Sequence, residues 1–140
     1  MTYYAVFDTN VIVSSLLTHN LDSATVMVVD AIADGNIVPL YNDDVLDEYI
    51  SVLRRSKFKI SKRVIDDFIE MIRHTGLNVD PSPTGMTLID MDDLVFFEIV
   101  MQKRDDNAYL VTGNLKHFPE RDFIVTPAEM VQIMSLNKGV

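Results

Sequence analysis

Two short apolar runs stop abruptly at polar triplets: Tyr3 to Phe7 at Asp8-Thr9-Asn10, and Ala108 to Val111 at Thr112-Gly113-Asn114. A bounded apolar run of this length reads as a buried strand. Ile37-Val38-Pro39-Leu40 and Phe123-Ile124-Val125 read the same way. Pro39 places the former near an end or an edge, because proline has no N–H to give a ladder. Amphipathic stretches lie between the runs. Ser23 is placed to cap a helix over 24–33 that Gly35 ends. Asn42, Asp43 or Asp44 caps a second over 44–55, with Leu46, Ile50 and Leu53 in one stripe. Ser61 opens a third, with Val64, Ile65, Phe68, Ile69 and Ile72 on one face and Gly76 at its end. Pro81 to Gly85 is a loop, and Asp90-Met91-Asp92-Asp93 introduces an apolar helix over 93–103. Thr126-Pro127-Ala128-Glu129 is a capping box that opens a terminal helix. Strands alternating with helices predict an α/β fold with a mainly parallel sheet.

A chain of 140 residues, 48% of them hydrophobic, fits one domain over 1–140. With no cysteine, disulfide scaffolds, thiolate zinc sites and cysteine nucleophiles are excluded. His19, His74 and His117 lack zinc-like spacing. The first apolar run is short and follows no basic residue, unlike a secretory signal. No apolar stretch reaches the ~18 residues of a membrane span, so the expected location is the cytoplasm. The formal charge of −9 argues against general nucleic-acid binding. Six of the twelve basic residues nevertheless crowd into ten positions: Arg54, Arg55, Lys57, Lys59, Lys62 and Arg63. That segment is the best candidate for gripping a polyanion without reading its sequence.

Ligands of parallel sheets bind beyond the carboxyl ends of the strands. Asp8 stands at such an end, and the loops entering the helices of Glu48 and of Asp90, Asp92 and Asp93 gather at the same edge. Carboxylates pressed together resist ionisation unless a positive charge lies among them. Mg²⁺ or Mn²⁺ fits, because hard cations take oxygen ligands and keep waters. Such an ion polarises a phosphoryl oxygen and generates a nucleophilic water. The chemistry points to phosphodiester hydrolysis.

The segments FDTNVIVSSLL at 7–17, DDVLDEYISVLRR around Glu48, DMDDLVFFEIV at 90–100 and YLVTGNLKHFP at 109–119 resemble the four signature blocks of PIN-domain nucleases. In particular they resemble the PIN-family toxins of bacterial toxin–antitoxin pairs. The resemblance implies a three-layer α/β/α fold and a metal-dependent endoribonuclease. It matches Asp8, Glu48 and Asp93 to metal-binding acids, with Asp90 as a further acid. It places Asn10 in support of the first loop, and Thr112 and Asn114 where waters and the scissile phosphate are ordered. Asn114 stands where many members carry a fourth aspartate, which favours one well-held Mg²⁺ or Mn²⁺. RNA as substrate, a cognate antitoxin and a homodimer are implied too. By their position just beyond the core of the fourth segment, Lys116 and His117 are candidates for touching a phosphate.

Taken singly, each residue has a plainer reading. Asp8 suits an Asx-turn, Glu48 a solvated helix position, and Asp90 and Asp92 helix caps. His117 and Lys116 suit a surface loop, and Phe58 suits packing better than base stacking. The alternative function is a catalytically weak or inactive module of the same fold that binds RNA or protein. A small-molecule phosphatase is disfavoured, because the chain has no Gly-rich phosphate cradle.

Overall fold

The computed structural model describes residues 1–136; the last four positions of the expected 1–140 domain lie outside the described residues. Five strands make one sheet: β1 (Tyr3–Phe7), β2 (Ile37–Tyr41), β3 (Leu77–Asn78), β4 (Tyr109–Val111) and β5 (Ile124–Val125). Their order is β3-β2-β1-β4-β5, and every pairing is parallel. Six helices flank it: α1 (Thr9–Leu17), α2 (Ala24–Ala33), α3 (Asp43–Leu53), α4 (Lys62–Thr75), α5 (Leu94–Gln102) and α6 (Pro127–Leu136). The result is the expected three-layer α/β/α architecture. The chain runs outward from β1 to β3, then crosses back to β4 on the other side of β1. That reversal puts a topological switch point, the usual ligand crevice of such sheets, between β1 and β4.

Position in the sheet explains composition. β1 has a strand on either side, and Ala5, Val6 and Phe7 are buried almost completely, so it reads YYAVF without alternation. Three helix caps form as their residue types predict. Side-chain oxygens of Ser23, Asn42 and Ser61 accept from the backbone N–H of Val26, Val45 and Val64 at 3.4, 2.9 and 3.2 Å. Thr126 and Glu129 close the capping box with reciprocal bonds of 3.1 and 2.9 Å. Val64 departs from expectation: it is 44% exposed, on the shoulder of the α4 apolar face and not within it.

Two elements escape the sequence pattern. The helix α1 carries Val11-Ile12-Val13 in its first turns, and β-branched side chains favour strands; tertiary packing overrides that preference, and Val11 and Ile12 are buried. The strand β3 is two exposed residues long and has no periodicity to read. Its shortness accounts for Pro39, which sits within β2 opposite Ala5 of β1. The Pro39 carbonyl lies beside Gly76, and on one residue of a strand the N–H and C=O point to the same side. The missing N–H therefore falls where β3 has not yet begun. At Gly76 a Cβ would meet the backbone oxygens of Ile72 and Pro39 at 2.5 and 2.6 Å, so only glycine lets α4 end against β2.

Candidate active site

The register of the central strands sets the site. Phe7 pairs with Val111, so Asp8 and Thr112 leave neighbouring strands at one level. The Asp8 N–H bonds the Val111 carbonyl at 2.9 Å. The Thr112 hydroxyl donates to Asp8 Oδ2 at 2.8 Å, and Asn10 Nδ2 donates to the same oxygen at 3.3 Å. Asn10 Oδ1 accepts from the Gly113 N–H at 3.1 Å, and Thr112 Oγ1 accepts from the Asn114 N–H at 3.0 Å. The two polar triplets are thus laced together. Thr112 is 0% exposed, and its hydroxyl is engaged with Asp8.

Asp8 occupies the N-cap of α1, yet its side chain makes no cap hydrogen bond. Ser23, Asn42 and Ser61 do what cap residues do; the Asp8 carboxylate is directed elsewhere. Asp93 is no cap: its backbone is already helical, and it ends the 3₁₀ turn Met91–Asp93 that runs straight into α5. Asp8 is held by Thr112 and Asn10. Asp93 Oδ2 meets His117 Nδ1 at 3.2 Å, and His117 Nε2 meets Asn114 Nδ2 at 3.0 Å. Asp90 is different, for its Oδ1 accepts from the Asp92 N–H at 3.0 Å and caps the 3₁₀ turn Met91–Asp93.

Glu48 is brought in by its neighbour. Tyr49 is buried, and its hydroxyl donates to the carbonyl of Phe7, the residue before Asp8. The Tyr49 ring packs against Phe68 and Phe96, with centroids 6.2 and 6.3 Å away. The first helix turns of α3 are thereby fixed to the end of β1. The Tyr49 ring lies among the buried residues of α3, and its hydroxyl is the structural joint.

The electrostatics of the acids are unfavourable as they stand. Asp8 is 6% exposed, and burial raises its pKa, an effect that the Thr112 hydroxyl, the Thr9 backbone N–H and His117 oppose and Asp90 adds to. Burial also raises Glu48; Asp92, Asp8 and Asp90 push the same way, and Arg55 opposes them. Asp93 is pushed up to about 6 by burial, then by Asp8 and Asp90, against the pull of His117. Asp8 therefore acts on both Glu48 and Asp93, joining acids 40 and 45 residues apart in sequence order.

An all-oxygen donor set of mutually repelling, partly desolvated carboxylates has the chemistry that a hard divalent cation relieves. As the side chains are disposed, no three acidic or histidine groups among the described residues stand close enough to enclose an ion. The donor types fit Mg²⁺ or Mn²⁺, and the carboxylates would have to turn inward around it.

The basic segment is exposed from Arg54 to Lys57 and again at Lys59, Lys62 and Arg63. Arg55 is felt at Glu48, so the segment begins beside the acids. Lys62 and Arg63 face Asp66 and Asp67 of α4 at 2.8 and 4.0 Å. Lys57 lies over the half-buried Phe58 ring at 5.1 Å. Lys116 is exposed next to His117. A cavity lined by Met1, Tyr3, Asn36 and Met134 opens at the amino ends of the strands, the wrong edge for a parallel sheet's ligand. His117 is the site residue whose sequence context is least telling. Its signal is its place three residues after Asn114 in the 3₁₀ turn Leu115–His117, where side chains i and i+3 eclipse.

Comparison with known proteins agrees with the geometry. Neither the curated proteins nor the solved structures yield a match. A family model described as the PIN domain matches residues 4–116, a span that holds β2, β3, β4, all of β1 after Tyr3, and all of Asp8, Glu48, Asp93 and Asn114. The chain belongs to the PIN-domain family, whose members are in general nucleases.

Proposed function

We propose that this chain, as a single domain over 1–140, is a Mg²⁺- or Mn²⁺-dependent endoribonuclease, and that it is the toxin of a toxin–antitoxin pair. The observation that carries the nuclease reading is the gathering of Asp8, Glu48 and Asp93 at the β1–β4 switch point, with Asp8 on a helix cap that does not cap. These three would hold the ion, with Asp90 close enough to be felt by all three. When bound, the ion supplies charge stabilisation at the phosphate and a water of lowered pKa. The rest of the work belongs to the chain. Thr112 and Asn10 fix the orientation of the Asp8 carboxylate, and Tyr49 keeps Glu48 at its side. The Asn114 amide oxygen accepts no hydrogen bond among the described residues, which leaves it to orient a water. Arg54, Arg55, Lys57, Lys59, Lys62, Arg63 and Lys116 would neutralise RNA phosphates leading to the acids.

The toxin reading, with its antitoxin and a homodimer, is supported by the resemblance of the four signature segments. An antitoxin would be expected to offer the acidic edge a basic side chain. Asp8→Asn tests the nuclease reading: it keeps the Thr112 bond while removing a charge, and it should lower Mn²⁺-dependent RNA cleavage at least ~100-fold with an unchanged melting temperature. Full activity in that variant contradicts it. The amide at 114 and the open disposition of the acids favour one second reading, a weak or inactive RNA- or protein-binding module. Metal-dependent stabilisation together with metal-dependent loss of RNA supports the enzyme; the absence of both supports the module.

A further inference from the structure

We propose that His117 is a positioning residue that aims Asp93, and that Asn114 fixes which of its ring nitrogens carries the proton. The proposal rests on the reading of Asp93 as a metal-binding acid. The Asn114 atom that meets His117 Nε2 is Nδ2, an amide nitrogen and so a donor only. Nε2 must accept. The ring proton then sits on Nδ1, which faces Asp93 Oδ2 at 3.2 Å, and a carboxylate oxygen accepts it. Donor follows acceptor along the whole path: Asn114 to His117, His117 to Asp93.

The same turn is tied to the other acid. The Asn114 N–H donates to Thr112 Oγ1, whose proton goes to Asp8 Oδ2. One segment, 112–117, therefore orients both Asp8 and Asp93, which stand immediately before different helices, α1 and α5. The Asp93 side chain is 13% exposed, so its second oxygen has limited freedom once Oδ2 is engaged. His117 lies one residue past the span matched by the family model.

This gives the amide at 114 a specific purpose. A carboxylate in its place would accept from Nε2, draw a proton onto that nitrogen and put His117 between two acids. Asn114→Asp is accordingly a change of hydrogen-bond direction, and not only of charge.

The test has two arms. In ¹⁵N NMR spectra of the metal-free protein, the His117 ring, assigned by its loss in His117→Ala, should show a protonated Nδ1 and a bare Nε2. Asn114→Asp should abolish the bare Nε2 signature. Titration calorimetry with Mn²⁺ should then show affinity about 10–100-fold weaker in His117→Ala, the range for outer-shell partners of metal ligands. His117→Asn keeps an N–H near the Nδ1 position and should stay within about 3-fold of wild type. Melting temperatures of the variants separate misfolding from mispositioning. A wild-type ring protonated at Nε2 or averaging between tautomers overturns the proposal, as does unchanged Mn²⁺ affinity in a folded His117→Ala. Wild type with the Nδ1–H signature but no Mn²⁺ uptake overturns the metal reading of Asp93 and leaves the His117 relay standing.

Discussion

Asp8 gives up an ordinary stabilising job. An N-cap side chain contributes about 1 kcal/mol to its helix, and the Asp8 carboxylate makes no such bond. Violations of a local rule are expected where function sets the geometry. Asp93 adds a pH dependence. Its pKa is raised from 3.8 to about 6, so the native protein favours the protonated acid. This stabilising contribution is complete below the unfolded value and is lost as pH rises through about 6. Cation binding needs the ionised form. Mn²⁺ should therefore raise the melting temperature little at pH 5 and markedly at pH 7.5, measured by scanning calorimetry, and Asp93→Asn should flatten that difference. The acids are legible in sequence because each stands at the start of a recognisable helix or the end of a strand. The roles of Tyr49 and His117 are not, since their partners, Phe7 and Asp93, lie 42 and 24 residues away and no local pattern records such a bond.

Elements are placed by a few joints. Tyr49 is the joint for α3: it links that helix to the carbonyl of Phe7, stacks on Phe96 and meets Phe68 edge-on. Tyr49→Phe keeps the rings and leaves the Phe7 carbonyl without its donor, a loss of about 1–3 kcal/mol. Urea unfolding should register that loss, and Mn²⁺ affinity should fall with it because Glu48 is no longer fixed beside Asp8. Unchanged stability and affinity would show that packing alone places α3. The helices whose cap side chains do cap, α2, α3 and α4, are readable from sequence to within two residues. The helix α1 is not, because its cap residue serves the site and its first turn is β-branched; the same diversion that marks the site hides the element. The strand β3 is too short to carry a pattern, and Pro39 is its one trace in the sequence, a sign that β2 lacks a full partner on one side.

Across the whole molecule, charge is segregated. The net charge is −9, while half of the basic residues sit within ten positions and Arg55 among them acts on Glu48. RNA binding should then be salt-dependent through that segment. Replacing Arg54, Arg55, Lys57 and Lys59 by Gln should weaken single-stranded RNA binding and reduce the slope of log K against log salt by roughly 0.7 for each phosphate left unneutralised. Filter binding at several salt concentrations measures both; an unchanged slope places the RNA on another surface. Net charge conceals this arrangement, whereas the parallel sheet and the position of the acids at one edge follow from alternation along the chain. The decisive observation is crystallographic: a crystal soaked in Mn²⁺ and measured at the manganese absorption edge. The expected result is an anomalous peak bounded by Asp8, Glu48 and Asp93, with the carboxylates turned toward it. A map with no peak there, or with its peak elsewhere on the protein, would contradict the metal site and the hydrolysis built on it.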